Sequence, residues 1–416
     1  MVLMIRRSLR TAALTSLFTL TAAFVSGGTS VAQPDLPPPP TPDAVFPIPG
    51  PDPFYEPPPN LGDYAPGDVL EVRRLPVSPY FPASTVWEVS FRSTDSLGRP
   101  IAANTTYVLP PNHVPDGPVL SYQHIINSLG SKCKIANALY TDDPTYKLRE
   151  AVGLNLALAR GWAVAVPDHL GPRMAYGAAK LGGQITLDGI RAVQRVPELQ
   201  ATNSKIGLAG YSGGGMATAW AAALAPTYAP ELDIVGVAEG GTPMNLVKMA
   251  DGLGTEPHPV FGLAMAAVLG LEREYPGRID VTSQLNEEGL RMKQAISDGC
   301  AYEIMALGVG RSAAQMTDNT NFMEDVEMRR VMEENSLELY PGVPTAPIFD
   351  WHSPTDALVP VDSINATLRR YCDAGLPVQT LLTPAPDHLT PAALGLPHAM
   401  AWLDARFRGE PAPSTC

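Results

Sequence analysis

Residues 205–225 read KIGLAGYSGGGMATAWAAALA. An apolar run, Lys205 to Ala209, leads into Gly210-Tyr211-Ser212-Gly213-Gly214, a match to G-x-S-x-G, and a stretch of small helix formers from Met216 to Leu224 follows at once. Glycine and serine are common, so the five residues alone specify little. The strand before them and the helix after them make the match informative. A serine in that setting sits on a strained turn that admits no large neighbours. Gly210 and Gly214, two residues to either side, let strand and helix approach closely. The turn lifts the Ser212 hydroxyl above the C-terminal edge of a sheet. It also sets the Gly213 amide at a helix N-terminus, where developing negative charge is favoured.

Other apolar runs extend the pattern in both directions. Val119 to Ile126, Trp162 to Pro167, Asp233 to Ala238, Ala346 to Trp351 and Val378 to Thr383 read as strands. They are continuously apolar rather than alternating, as in a parallel sheet buried on both faces. Helical patterns lie between them at Tyr146 to Arg160, Thr186 to Arg195 and Val361 to Ala374. Strand and helix in alternation predict an α/β architecture with right-handed crossovers. The alternation stops after Gly241. Residues 245–335 show no clear strand, contain the almost wholly apolar Val260 to Leu271, and with Met244 hold nine of the 14 methionines. This segment is expected to be a helical cap or lid over a core made of 67–244 and 336–416. Most of its methionines are expected to fill the cap's own interior, with others available to line a path beneath the cap.

The chain has 416 residues and a net charge of −13; 45% of residues are hydrophobic and 17% charged. That acidity excludes a nucleic-acid partner, which would need a basic face, and it excludes electrostatic capture by anionic membranes. A neutral lipid surface stays open as a transient contact. The first 32 residues resemble an export signal: Arg6, Arg7 and Arg10, then uncharged Ala12 to Val25, then Ser30-Val31-Ala32 before the expected cleavage. Residues 33–66 form a proline-rich leader, with 13 of the 44 prolines between 34 and 59. Proline fixes φ and removes amide donors, so an extended polyproline-like segment is expected there, partly docked through Phe46, Ile48, Phe54 and Tyr55. Four cysteines, Cys133, Cys300, Cys372 and Cys416, predict two disulfides in an exported chain, with three pairings open. None has CxxC spacing, and neither a metal nor an organic cofactor is expected.

A serine hydroxyl needs a general base within hydrogen-bond reach, held in turn by a carboxylate. On a strand–turn–helix nucleophile the partners follow in the order Ser, acid, His. Downstream of Ser212 stand His258, His352, His388 and His398. His388 occupies the loop between the strand VQTLLT and a helix beginning near Pro391, the position a base requires. His398 lies inside that helix, His258 in the insertion, and His352 directly after a strand. The acid belongs after the preceding strand, which selects Asp356. Asp350, inside the strand, is the runner-up, and Asp362 suits a helix cap. The second oxyanion donor should come from the loop after the early strand, Ser121 to Ile126, with the Ile125 amide as the candidate.

With these residues in view the chain resembles the secretory lipase family, α/β-hydrolases of the Candida lipase A type and their actinobacterial relatives. The resemblance rests on Asp52-Pro53-Phe54-Tyr55, SYQH ahead of Cys133, GYSGGG at 210–215, GGTPMNL at 240–246, HSPTDALVP at 352–360 and DHLTPAALGLPHAMAWL at 387–403. It implies an α/β-hydrolase fold, a mostly parallel sheet flanked by helices with a helical cap. It implies carboxylester hydrolysis with Ser212 as nucleophile, Asp356 as acid and His388 as base, and the pairs Cys133–Cys300 and Cys372–Cys416. Where many members carry His-Gly-Thr, this chain has His124-Ile125-Ile126. The expected activity is that of an exported lipase or esterase acting on lipid or small esters. Other acyl chemistry on the same fold, acyl transfer or peptide hydrolysis, and a non-catalytic binding role are the alternatives.

Overall fold

A computed structural model describes residues 52–140, 149–320 and 325–416. The expected export signal, the leader as far as residue 51, with Phe46 and Ile48, and the expected helix start at Tyr146 lie outside the described residues.

Among the described residues nine strands, labelled in chain order with the ranges that follow, form one sheet in the order β1-β2-β3-β5-β4-β6-β7-β8-β9. Three long N-terminal strands, β1 (Val69–Arg74), β2 (Thr85–Thr94) and β3 (Pro100–Leu109), pair antiparallel, and β3 runs antiparallel to β5. From there β5 (Ala163–Pro167), β4 (Val119–Gln123), β6 (Ile206–Tyr211), β7 (Ile234–Gly240), β8 (Ile348–His352) and β9 (Val378–Leu382) are parallel. Every residue of β4, β5, β6 and β8 is buried, which is why these strands lack in–out alternation.

The helices divide the core between the two faces of the sheet. After the short α1 (Ile135–Ala138) come α2 (Ala151–Leu158), α3 (Ala179–Gln194) and α4 (Gly213–Tyr228); α11 (Val361–Asp373) and α12 (Thr390–Phe407) close the chain. Leu208 belongs to the core that holds α3, α4 and the insertion, while its neighbour Ala209 belongs to the core formed with α2 and α12. Successive side chains of a strand point to opposite faces, so one strand feeds both cores.

Between β7 and β8 the described chain is helical: α5 (Leu246–Leu253), α6 (Phe261–Glu274), α7 (Glu287–Ile296), α8 (Ala301–Gly308), α9 (Ala313–Met316) and α10 (Val326–Glu334). Met265, Met292, Met316, Met328 and Met332 are buried in its packing. Buried Arg273 on α6 ties this segment to the core by donating to the Leu129 carbonyl at 2.6 Å, and binds α6 to the end of α7 through the Ser297 carbonyl at 2.8 Å. Cys133 is bonded to Cys300, joining the segment after β4 to the start of α8, and Cys372 to Cys416, joining α11 to the last residue. Thr415 N–H donates to the Val378 carbonyl at 2.8 Å, so the final segment runs along β9. At the other edge Asp52 meets Arg73 Nη1 at 2.6 Å, Tyr55 donates to Glu88 at 2.8 Å, and the Arg73 guanidinium lies 4.0 Å from the Phe54 ring centre.

Candidate active site

The site begins at the junction of β6 and α4. Ser212 has φ 54° and ψ −122°, a conformation disfavoured for a residue with a Cβ. Its neighbours hold it there: Ser212 N–H donates to Gly240 O at 2.9 Å and Ser212 O accepts from Met216 N–H at 2.9 Å. The glycines are required by contact. A Cβ on Gly214 would lie 1.9 Å from the Gln123 carbonyl oxygen, and one on Gly210 2.4 Å from Thr218 Oγ1. Gly213 opens α4, so its N–H has no intrahelical acceptor and points out from the helix N-terminus beside Ser212.

His388 sits in the loop after β9, and Asp356 in the loop after β8. The structure brings both to Ser212. His388 Nε2 is 2.8 Å from Ser212 Oγ, and His388 Nδ1 is 2.7 Å from Asp356 Oδ2. Ser212 and His388 are 6% and 8% exposed, so their mutual hydrogen bond is shielded from water. Asp356 Oδ1 accepts the N–H groups of Leu358 at 2.8 Å and Val359 at 3.0 Å. Burial pushes the Asp356 carboxyl up, but the hydrogen bond and charge of His388 and the two backbone donors outweigh it and hold the group below its usual value. Tyr211 donates to the His388 carbonyl at 2.6 Å, tying the loop of the base to the turn of the nucleophile. Asp387 accepts from Leu389 and Thr390 N–H at 2.9 and 2.7 Å, which starts α12 directly behind His388.

The other histidines lie elsewhere. His398 is exposed on α12, and His258 pairs with Arg311 in the insertion. His352, at the end of β8, is buried with its Nδ1 2.5 Å from Asp350. Asp350 therefore belongs to a separate buried group beside Glu239, its partner in the β7–β8 register. Burial, then the Asp350 carboxylate, raise the Glu239 carboxyl well above its usual value.

The Ile125 N–H, expected as the second donor, lies 3.4 Å from Glu150 Oε1. Asn127, which the sequence did not mark, comes close to Gly213 instead. It has φ +40°, and a Cβ on Gly213 would lie 2.1 Å from its Oδ1, an atom that is buried without a hydrogen-bond partner. Rotation of a carboxamide by half a turn exchanges oxygen for NH2 in the same volume. A mostly apolar cavity of about 10 Å³, room for roughly one water molecule, adjoins Gly213 and is walled by Asn127, His169, Leu170, Tyr176, Met216 and Ala217.

Comparison with known proteins fits this geometry. Residues 147–415 match the family model described as secretory lipase. The chain is 30% identical over 393 residues to Lipase 10 of Candida albicans, covering 88% of this chain and 82% of that one. It is 33% identical over 390 residues to a Mycobacterium tuberculosis protein named a probable inactive lipase, covering 88% and 83%. Among solved structures, Candida antarctica lipase A superimposes with a TM-score of 0.81 and 28% identity, covering 88% of this chain and 87% of that one.

Proposed function

Because the chain belongs to the secretory lipase family and is a carboxylester hydrolase of α/β-hydrolase fold, we propose that it is an exported serine esterase. In this reading it cleaves lipid or medium-chain esters through Ser212, His388 and Asp356. The observation that carries the reading is the continuous hydrogen-bonded series Ser212 Oγ, His388 Nε2, His388 Nδ1, Asp356 Oδ2, at 2.8 and 2.7 Å. One relative bears the name of an inactive lipase, so membership alone does not establish turnover; the intact series is what argues for it here.

The reaction runs in two halves. His388 Nε2 takes the Ser212 proton as Oγ bonds to the ester carbonyl carbon, and the carbonyl oxygen becomes an oxyanion. The Gly213 N–H and the Asn127 carboxamide hold that charge, each donor contributing about 3 kcal/mol to the barrier reduction. The tetrahedral species collapses, the alkoxide leaves with the proton from His388, and the acyl group remains on Ser212. Water then gives its proton to His388 and attacks the acyl carbon. The acyl–Oγ bond breaks, Oγ recovers the proton, and the carboxylic acid departs. Asp356 keeps Nδ1–H directed at itself and stabilises the imidazolium formed in each half.

The helical segment 245–335 serves as the cap over this edge of the sheet, carried by the core 67–244 and 336–416. Residues 1–32 direct export and 33–66 form the leader; two disulfides suit an oxidising compartment. Contact with a lipid interface is transient. The test is hydrolysis of p-nitrophenyl esters of graded chain length. Ser212→Ala is expected to lose about 10⁵-fold or more in kcat and to lose labelling by a fluorophosphonate. Turnover retained in that variant would remove the mechanism.

A further inference from the structure

The loop between β4 and α1 has no strand to pair with, yet three consecutive carbonyls in it are each taken by a side chain. His169 Nε2 donates to His124 O at 3.0 Å, Arg149 Nη2 to Ile125 O at 2.6 Å, and Ser128 Oγ to Ile126 O. Ile125 is held twice, since its N–H reaches Glu150 Oε1. That same oxygen accepts Arg149 Nε at 2.6 Å, and Oε2 accepts the Tyr122 hydroxyl of β4 at 2.9 Å. Glu150 is 1% exposed. A buried carboxylate that receives a cation, a hydroxyl and a backbone N–H leaves the loop residue it grips little freedom.

Two residues further on, Asn127 adopts its left-handed conformation with the carboxamide against Gly213. A non-glycine residue at positive φ persists only where its surroundings over-determine it. The grip on Ile125 supplies that constraint. We infer that Glu150, with Arg149, is a positioning residue for ester hydrolysis: it withdraws the Ile125 N–H from the oxyanion and sets the loop so that the Asn127 side chain becomes the second donor. The inference rests on the serine-esterase reading above and names how its oxyanion site is built.

The test is a double-mutant cycle of Glu150→Gln and Asn127→Ala on a p-nitrophenyl ester, with active sites counted by fluorophosphonate titration so that misfolded protein does not enter kcat. Asn127→Ala alone is expected to lower kcat about 10²-fold, the usual effect of deleting one oxyanion donor. Glu150→Gln alone keeps the side-chain shape, loses the ion pair with Arg149, and should lower kcat about tenfold with KM within twofold. It should lower affinity for an alkylboronic acid, which mimics the tetrahedral species, by the same factor. In the Asn127→Ala background the same change should have no further effect, because the group it positions is gone. A Glu150→Gln loss of equal size in both backgrounds would overturn the inference, as would no loss of kcat in either single variant. Each of those results leaves Ser212 chemistry standing; failure of the underlying reading shows separately, as turnover that survives Ser212→Ala.

Discussion

Gly213 and Gly214 are adjacent and identical, yet the structure predicts different consequences for stability from a methyl group at each. At Gly214 the new Cβ would lie 1.9 Å from the carbonyl oxygen of Gln123 and 2.8 Å from its carbonyl carbon. Ordinary contact begins near 3.4 Å, so about 1.5 Å of separation is lacking. Neither side can yield readily. Gln123 belongs to the fully buried β4, and its side chain accepts the Thr218 hydroxyl of α4 at 2.8 Å, which binds the two elements together. Overpacking of this kind against backbone should cost about 3 kcal/mol or more, a fall in Tm of roughly 3–4 °C in a chain this large. The displaced helix start carries Ser212 away from His388, and a shift near 1 Å should cost about 10²-fold in kcat. At Gly213 the Cβ would meet the end of the Asn127 side chain, 2.1 Å from Oδ1, and that side chain can rotate away. Gly213→Ala should keep Tm within about 1 °C while losing about 10²-fold in kcat through the lost donor. Calorimetry on both variants, with ester kinetics normalised to titrated sites, checks the pair. A Gly214→Ala protein with unchanged Tm and kcat would refute the packing argument, and a fully active Gly213→Ala would refute the part given to Asn127.

Two further outcomes follow from the buried carboxylates. Asp356→Asn should lower kcat by about 10³–10⁴-fold with little change in KM, because the imidazole loses the acceptor that fixes its tautomer; a loss below tenfold would count against that role. The folded value of Asp356 lies below its unfolded one, so its contribution to stability is complete above the unfolded value, near pH 4, and disappears as pH falls through the folded value. Acid unfolding followed by Tm should therefore be shallower in Asp356→Asn than in the native chain, and parallel curves would contradict it. Glu239 has the reverse sign: its folded value is raised, so the stability it contributes is present below the unfolded value and is lost as pH rises toward the folded one. The Tm difference between Glu239→Gln and the native chain should therefore move in favour of the variant from pH 5 to pH 8, and a difference that stays constant would reject this.

The central strands were legible because burial on both faces leaves a simple trace. KIGLA predicts β6, which the structure extends through Tyr211, and the run after Asp233 predicts β7, extended to Gly240. Ser212, His388 and Asp356 were legible because each follows a strand at the same sheet edge, so chain order and loop position suffice. The three antiparallel strands at the N-terminus were missed. β1 reads VLEVRR and is half exposed, so its charges mask the apolar period, and β3 carries Asn104, Thr105 and Thr106 buried within it. Boundaries failed where tertiary contact lengthened an element: the helix expected at Thr186 begins at Ala179, where the small residues Gly182 and Gly183 face α4. The surroundings of Ile125 were not legible: its N–H meets Glu150, 25 residues away in sequence, a contact that loop position alone cannot reveal. Only the positive φ of Asn127 betrays the arrangement, and asparagine's tolerance of that conformation was the one signal the sequence carried.

The last three residues bear on how these molecules behave in each other's company. β9 is the outer strand of the sheet, and an outer strand offers a row of unsatisfied amide groups to any similar strand it meets. Ser414, Thr415 and Cys416 lie over that row, with Thr415 bonded to both Val378 and Thr380 and Cys416 anchored covalently to α11. Removal of this short covering would uncover a template for stacking copies side by side. A crosslink far from the candidate site thus holds in place what shields an edge of the sheet.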